Sequence, residues 1–473
     1  MENSKFIKNL KHLDIKQLEE FEKFLNSPYF LKRKTLPVLF SKMKQCYPEF
    51  NKSKREIYSL AYPGKPYNDV LLRKYLSEMN NMLLEYLAVS SFKEDKMTYR
   101  SKLIDRLIET KNYYEAEKAA GEALAELEKN PHRNEKYYYN KYIFESYSKT
   151  ISNLQTNLNP DTDWKDAMDG FVNYSALTVL QFYYIILNDT RVRKEKSNID
   201  LDILNRLVKV YEEKGITNNP MAYILNNLVR SYLEPQNESY YRNIKEALRS
   251  YKSLLDVNEL SAIYTYLHNY CFVKVDSGDL EYLNERFEIV NDVLANGFHL
   301  KDGYMVPDMF ISMVTNALML KKFKWAEDFI RQYKEHLPPE DKKSNGYFAQ
   351  SLYYMFRNNF DKALECLSRV KYRKYYDKFK IKALNLMIFY EAGYFEEAFS
   401  QADSFRHYIS GYKTVTPYIK ERTNNFIRQI LQMIKFRLKQ AKTPEINGFY
   451  NSTIMYRPWL VQKLNELSGQ PKP

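Results

Sequence analysis

The sequence predicts an all-α protein, and three observations carry that reading. The 473 residues include only 12 glycines and 17 prolines, too few for the tight turns that a large sheet protein needs. Tyr (43) and Phe (27) are abundant although the mean hydropathy is −0.59, so the apolar mass lies on amphipathic segments with polar outer faces. The chain also exceeds the roughly 250–300 residues at which a single core stops growing, and must divide or extend as repeats.

The first helix start is explicit. Asp14 and Gln17 form a capping-box pattern, Leu13 and Leu18 are placed as a hydrophobic staple, and Leu18, Phe21 and Leu25 share one face before Asn26-Ser27-Pro28 ends the run. Further helices are predicted over Leu36–Tyr47, Lys54–Ala61 and Asn68–Val89, the first two ending before prolines. Residues 1–97 therefore read as an N-terminal helical domain. It is basic, with 19 Lys and Arg against 12 Asp and Glu in residues 1–100, within a net charge of +13. Such an excess suits an acidic partner or nucleic acid, although a solvated surface is the commoner cause.

From about residue 98 the pattern becomes paired helices. An aromatic residue stands three before an alanine at Tyr113 and Ala116, Phe323 and Ala326, Phe360 and Ala363, and Phe395 and Ala398. Ile244 with Ala247 and Leu280 with Leu283 are aliphatic versions, and from Ala247 the steps are 36, 43, 37 and 35 residues. That is one helical hairpin per step. The small residue lets two helices approach, the aromatic fills the wedge beside the turn, and stacking buries the face that a lone hairpin exposes, giving a solenoid.

These residues resemble the tetratricopeptide repeat, whose second helix opens with Gly-x-aromatic-x-x-Ala. Gly393-Tyr394-Phe395-Glu396-Glu397-Ala398 is the best copy. Tyr347 and Tyr354, Pro338 and Ala123 occupy further family positions, while Lys111, Lys321 and Asn358 replace the turn glycine and Val370, Tyr333 and Phe405 the second small residue. The resemblance implies a right-handed superhelix of hairpins over 98–440, clearest at 305–410, that binds a protein or peptide as a non-catalytic scaffold. The family's peptide-clamp positions are not recognisable, so no partner-binding residue follows. The stretch 125–240 has helices but no phase. Pro417–Gln440 reads as a basic helix capping the array, and 441–473 as a last helix and tail.

Chemistry-bearing motifs are scarce. No glycine spacing matches a phosphate-cradling loop, so nucleotide and NAD chemistry are disfavoured. The six histidines are scattered; His268 and Cys271 share a helix face but lack the further ligands that zinc requires. Asp161, Asp163, Asp166 and Asp169 lack the glycine of a calcium loop and read as a helix start. No catalytic residue, metal or cofactor is expected. The longest apolar stretch, Tyr174–Leu187, is too short to span a membrane and reads as a core helix. Cys46, Cys271 and Cys366, odd in number and far apart, fit a reducing compartment; with no visible secretory signal, a cytoplasmic location is expected. An alternative function attaches to the N-terminal region. Ser53–Ile57, Tyr62-Pro63-Gly64 and Leu72–Ser77 are loosely similar to the helix-turn-helix of bacterial winged-helix activators, which would make Lys52, Lys54, Arg55, Arg73 and Lys74 DNA contacts.

Overall fold

The computed structural model describes residues 4–31, 33–156, 163–193, 201–216, 219–371, 375–411, 415 and 417–469. Among them the protein is all-helical apart from one two-residue β-ribbon, and it forms two compact units, Met1–Leu254 and Leu255–Pro473. The 97/98 division drawn from the sequence falls inside the first unit.

The first unit opens with α1 (Lys5–Leu10), α2 (Ile15–Asn26), α3 (Thr35–Lys44), α4 (Lys54–Ala61) and α5 (Asp69–Glu94). The Asp14–Gln17 capping box closes in both directions, at 2.8 and 3.0 Å, and Leu13 and Leu18 are both buried. One core joins these helices, with Phe21 edge-on to Phe40 at 5.0 Å and packed on Tyr86 at 5.6 Å. Next come α6 (Lys96–Glu109), α7 (Tyr113–Glu128) and α8 (Glu135–Thr156), around a second core of Ile104, Ala116, Ala120, Ala123, Phe144 and Ile151. The unit continues with α9 (Lys165–Arg193), α10 (Leu201–Glu213), α11 (Pro220–Leu233) and α12 (Ser239–Tyr251). Helices α8 and α9 touch almost backbone to backbone at Gly170, where an added Cβ would stand 2.8 Å from the Tyr142 nitrogen.

The expected core helix within α9 is only partly one. Ala176, Leu177, Leu180 and Tyr183 are buried, but Phe182 and Ile185 are 55% and 51% exposed, because α8, α10 and α11 cover only part of its surface. By length and composition 165–189 is apolar enough to cross a membrane, which the shorter stretch 174–187 did not suggest. Within the fold its polar groups are bonded to neighbouring helices: the Tyr183 hydroxyl donates to Asn205, and Ser175 accepts from Tyr211.

The second unit comprises α13 (Val257–Ser277), α14 (Tyr282–Ala295), β1 (Leu300–Lys301), β2 (Tyr304–Met305), α15 (Pro307–Met319), α16 (Phe323–Tyr333), α17 (Lys342–Phe356), α18 (Phe360–Ser368), α19 (Tyr375–Ala392), α20 (Phe395–Gly411), α21 (Pro417–Arg437) and α22 (Arg457–Leu467). Each of α15, α17 and α19 packs on its own partner, α16, α18 or α20, and also on the next odd-numbered helix, ending at α21. The final helix, α22, packs on both α21 and α13.

Four hairpins, α6–α7, α15–α16, α17–α18 and α19–α20, share one turn. Lys111, Lys321, Asn358 and Gly393 have φ of +59, +57, +57 and +78°. The next amide in each case donates back to the carbonyl five residues earlier, as in Asn112 to Leu107, Lys322 to Ala317, Asn359 to Tyr354 and Tyr394 to Phe389, at 2.8–2.9 Å. This is the Schellman termination, and the second helix begins one residue later, on Tyr113, Phe323, Phe360 or Phe395. Ala116, Ala326, Ala363 and Ala398 are fully buried where the paired helices meet. A side chain at φ near +57° is strained by its Cβ. Lys111→Gly and Lys321→Gly are therefore each expected to raise stability by about 1 kcal/mol, and Asn358→Gly by less, because asparagine tolerates this region. Urea unfolding reads this directly; destabilised glycine variants would show that the lysine stems pack instead.

Candidate interaction site

Two of the hairpin turns, α15–α16 and α17–α18, face the last helix. A cleft of about 600 Å³ is lined by Leu318, Lys321 and Phe323 from the α15–α16 turn, by Met355, Phe356 and Asn358 from the α17–α18 turn, by Glu391 of α19, and by Gln462, Lys463 and Glu466 of α22. Two of the left-handed turn residues and one of the wedge aromatics thus face the same space. Its lining mixes apolar side chains, Leu318, Phe323, Met355 and Phe356, with polar ones in similar measure. Among the latter Lys463 bridges Glu391 at 2.8 Å and Glu466 at 2.9 Å, while Glu391 also accepts from Trp459 Nε1 at 3.0 Å. Burial alone would lower the Lys463 pKa, but the two carboxylates outweigh it and hold the amine above the ordinary lysine range.

Recognition clefts combine apolar side chains with a few fixed polar groups, and both kinds are present here. The two carboxylates of this cleft are both engaged by Lys463. The repeat pattern in the sequence marks Phe323 and the turn positions as structural, but nothing in the sequence brings Lys463 and Glu391, 72 residues apart, to one place.

The five N-terminal cations lie at the starts of α4 and α5, where Asp69 gathers three of the surrounding side chains. Lys54 and Arg73 pair with it at 3.3 and 2.6 Å, Tyr67 donates its hydroxyl at 2.8 Å, and Arg55 lies over the Tyr67 ring. The Tyr67 hydrogen bond is the main cause holding the Asp69 carboxyl below its ordinary range. Lys52 and Lys74 are exposed. The connection from α4 to α5 is seven residues, Tyr62–Asn68, whereas a helix-turn-helix uses three or four. The strands described in the protein, β1 and β2, belong to the other unit, so no wing is seen beside α5 among the described residues.

Asp161 lies outside the described residues. Asp163 accepts from the Lys165 amide at 2.8 Å and Asp166 sits in the first turn of α9, as expected for a helix start. Among the described residues no group of three or more His, Cys, Asp or Glu side chains is placed to hold a metal.

His268 and Cys271 do share a face of α13. Nε2 of His268 accepts from Arg286 at 3.3 Å. Burial, then the Arg286 charge, pulls the His268 pKa down to about 4 from 6.5. Between those values the unfolded chain binds a proton that the folded one refuses. The stability is therefore fully present above pH 6.5 and lost as the pH falls toward 4. His268→Gln is expected to flatten that limb when urea unfolding is compared at pH 4.5 and 7, and an unchanged limb would assign the loss to other groups.

No protein-family model, curated protein or solved structure matches this chain.

Proposed function

We propose that the protein is a non-catalytic protein–protein interaction scaffold whose hairpins stack as a right-handed, tetratricopeptide-like solenoid in the second unit, and that a peptide or helical segment of a partner docks in the cleft beside α22. The observation that carries this reading is the repetition of one turn geometry at Lys321, Asn358 and Gly393, with the first two of these turns lining a common cleft. Repeated turns that present apolar and polar side chains to one cleft suit an extended or helical ligand. The three free cysteines fit action in the cytoplasm.

The test is capture from native cells with the tagged full chain, with and without nuclease, using the wild type and Gln462→Trp, which fills the cleft from its rim. A stoichiometric protein partner should survive nuclease and fall by about tenfold or more with the Trp variant, since a central recognition pocket carries most of the binding energy. Recovery of nucleic acid instead, abolished by neutralising Lys52, Lys54, Arg55, Arg73 and Lys74, would replace this reading with DNA binding through the N-terminal helices.

A further inference from the structure

Three consecutive helices of the second unit meet around one guanidinium. Arg286 of α14 is only 5% exposed. Its Nε donates to His268 on α13 at 3.3 Å, Nη2 donates to the Ser312 hydroxyl on α15, and the Phe272 ring centroid lies 5.1 Å from Cζ. None of these groups is negative. His268, with its pKa near 4, is neutral at neutral pH, while Arg286, pulled down by burial to about 10, is still charged.

Among the described residues no carboxylate lies within ion-pair distance of Arg286. The acidic groups whose fields reach it are the buried Cys271 thiol and, after it, Asp276, and Asp276 is engaged by Arg422 at 2.8 Å. Arg457 makes an instructive contrast. It is almost equally buried, at 6%, but its guanidinium caps the carbonyls of Phe449, Tyr450 and Ser452, which ties down the chain leading into α22. Arg286 has no such set of carbonyls. A buried cation without an anion is among the costlier arrangements a core can hold, and an apolar side chain of similar size would pack there at less expense. Stability therefore does not account for it, whereas a bound anion would.

The charge is also reachable. Phe272, the ring over the guanidinium, is 42% exposed, and His268 is partly exposed, so Arg286 lies one side chain beneath the surface. Nη1 has no hydrogen-bond partner among the described residues, and the Ser312 hydroxyl, which accepts from Nη2, keeps its own proton to donate. We propose that Arg286 and Ser312 form a binding site for an oxyanion, a carboxylate or phosphate group that enters past Phe272. The guanidinium fork matches either group through two N–H donors, and the serine supplies a third bond.

The test is thermal unfolding of the full chain in inorganic phosphate and, separately, in acetate, with ionic strength held constant by chloride. Phosphate stabilises proteins in general by exclusion from their surfaces, so the readout is the difference between the wild type and Arg286→Met. The wild type should show a saturable rise in Tm, a few degrees above that of the variant, with at least one of the two anions. A rise with phosphate alone assigns the site to phosphate groups; a rise with acetate assigns it to carboxylates such as acidic side chains. Should Arg286→Met fail to fold, Ser312→Ala retains the charge and is expected to weaken the anion response several-fold. Identical anion responses in the wild type and the folded variants, or no wild-type response to either anion beyond the chloride control, would overturn the proposal.

Discussion

Trp459→Ala is expected to destabilise the second unit by about 3–5 kcal/mol, the range for truncating a fully buried large aromatic. Trp459 is 3% exposed, packs edge-on to Tyr390 at 5.6 Å and donates to Glu391. The substitution opens a cavity between α22 and α19 and leaves Glu391 with Lys463 as its remaining partner at this spot. Urea unfolding should report the loss, and hydrogen exchange should place the new openings in 375–392 and 457–467. A cost below about 1 kcal/mol would mean that α22 is a loosely held appendage. The cleft described above would then lack a fixed wall.

Gly170→Leu is the second large effect, at about 3 kcal/mol, the upper end of the overpacking range. The first side-chain atom alone would lie 2.8 Å from the Tyr142 nitrogen and 3.1 Å from its Cα. Backbone atoms cannot rotate away as a side chain can, so the two helices must separate or shift register. The damage should appear as lost amide protection in 135–156 and 165–189. Retained protection there would show that α9 rolls to accept the side chain. Nothing in the sequence distinguishes this glycine from Gly121, whose added Cβ would meet open space, because the difference lies in a neighbouring helix.

Several parts of the fold were legible because their signals are local. The Asp14 cap and the aromatic-x-x-Ala entries at 323, 360 and 395 each lie within one helical turn and its boundary. Lys111, Lys321 and Asn358 stand at the turn-glycine position in the sequence, but that they keep the left-handed backbone of Gly393 was hidden, since a side chain there costs only about 1 kcal/mol and packing elsewhere outweighs it. The stretch 125–240 gave no repeat phase for a physical reason: α8 and α9 run 22 and 29 residues, and together with the link between them they exceed a hairpin unit of about 34 residues. The openness of α9 was hidden as well, because an unbroken apolar run looks the same whether its neighbours surround it or leave one face bare. Least legible were Arg286 with His268 and Ser312, which three successive helices bring together, and Lys463 with Glu391, which lie on helices far apart in the chain.

The return of α22 to α13 changes how the second unit can come apart. A tandem array with two free ends loses its terminal hairpins first, each end fraying at the cost of one neighbour interface. Here the packing runs from α13 through α14, α15, α17, α19 and α21 to α22 and back to α13, so the series closes into a circuit. Loosening any member breaks contacts on two sides. Melting is therefore expected to be cooperative across the second unit, with fewer of the partially frayed species that open arrays populate.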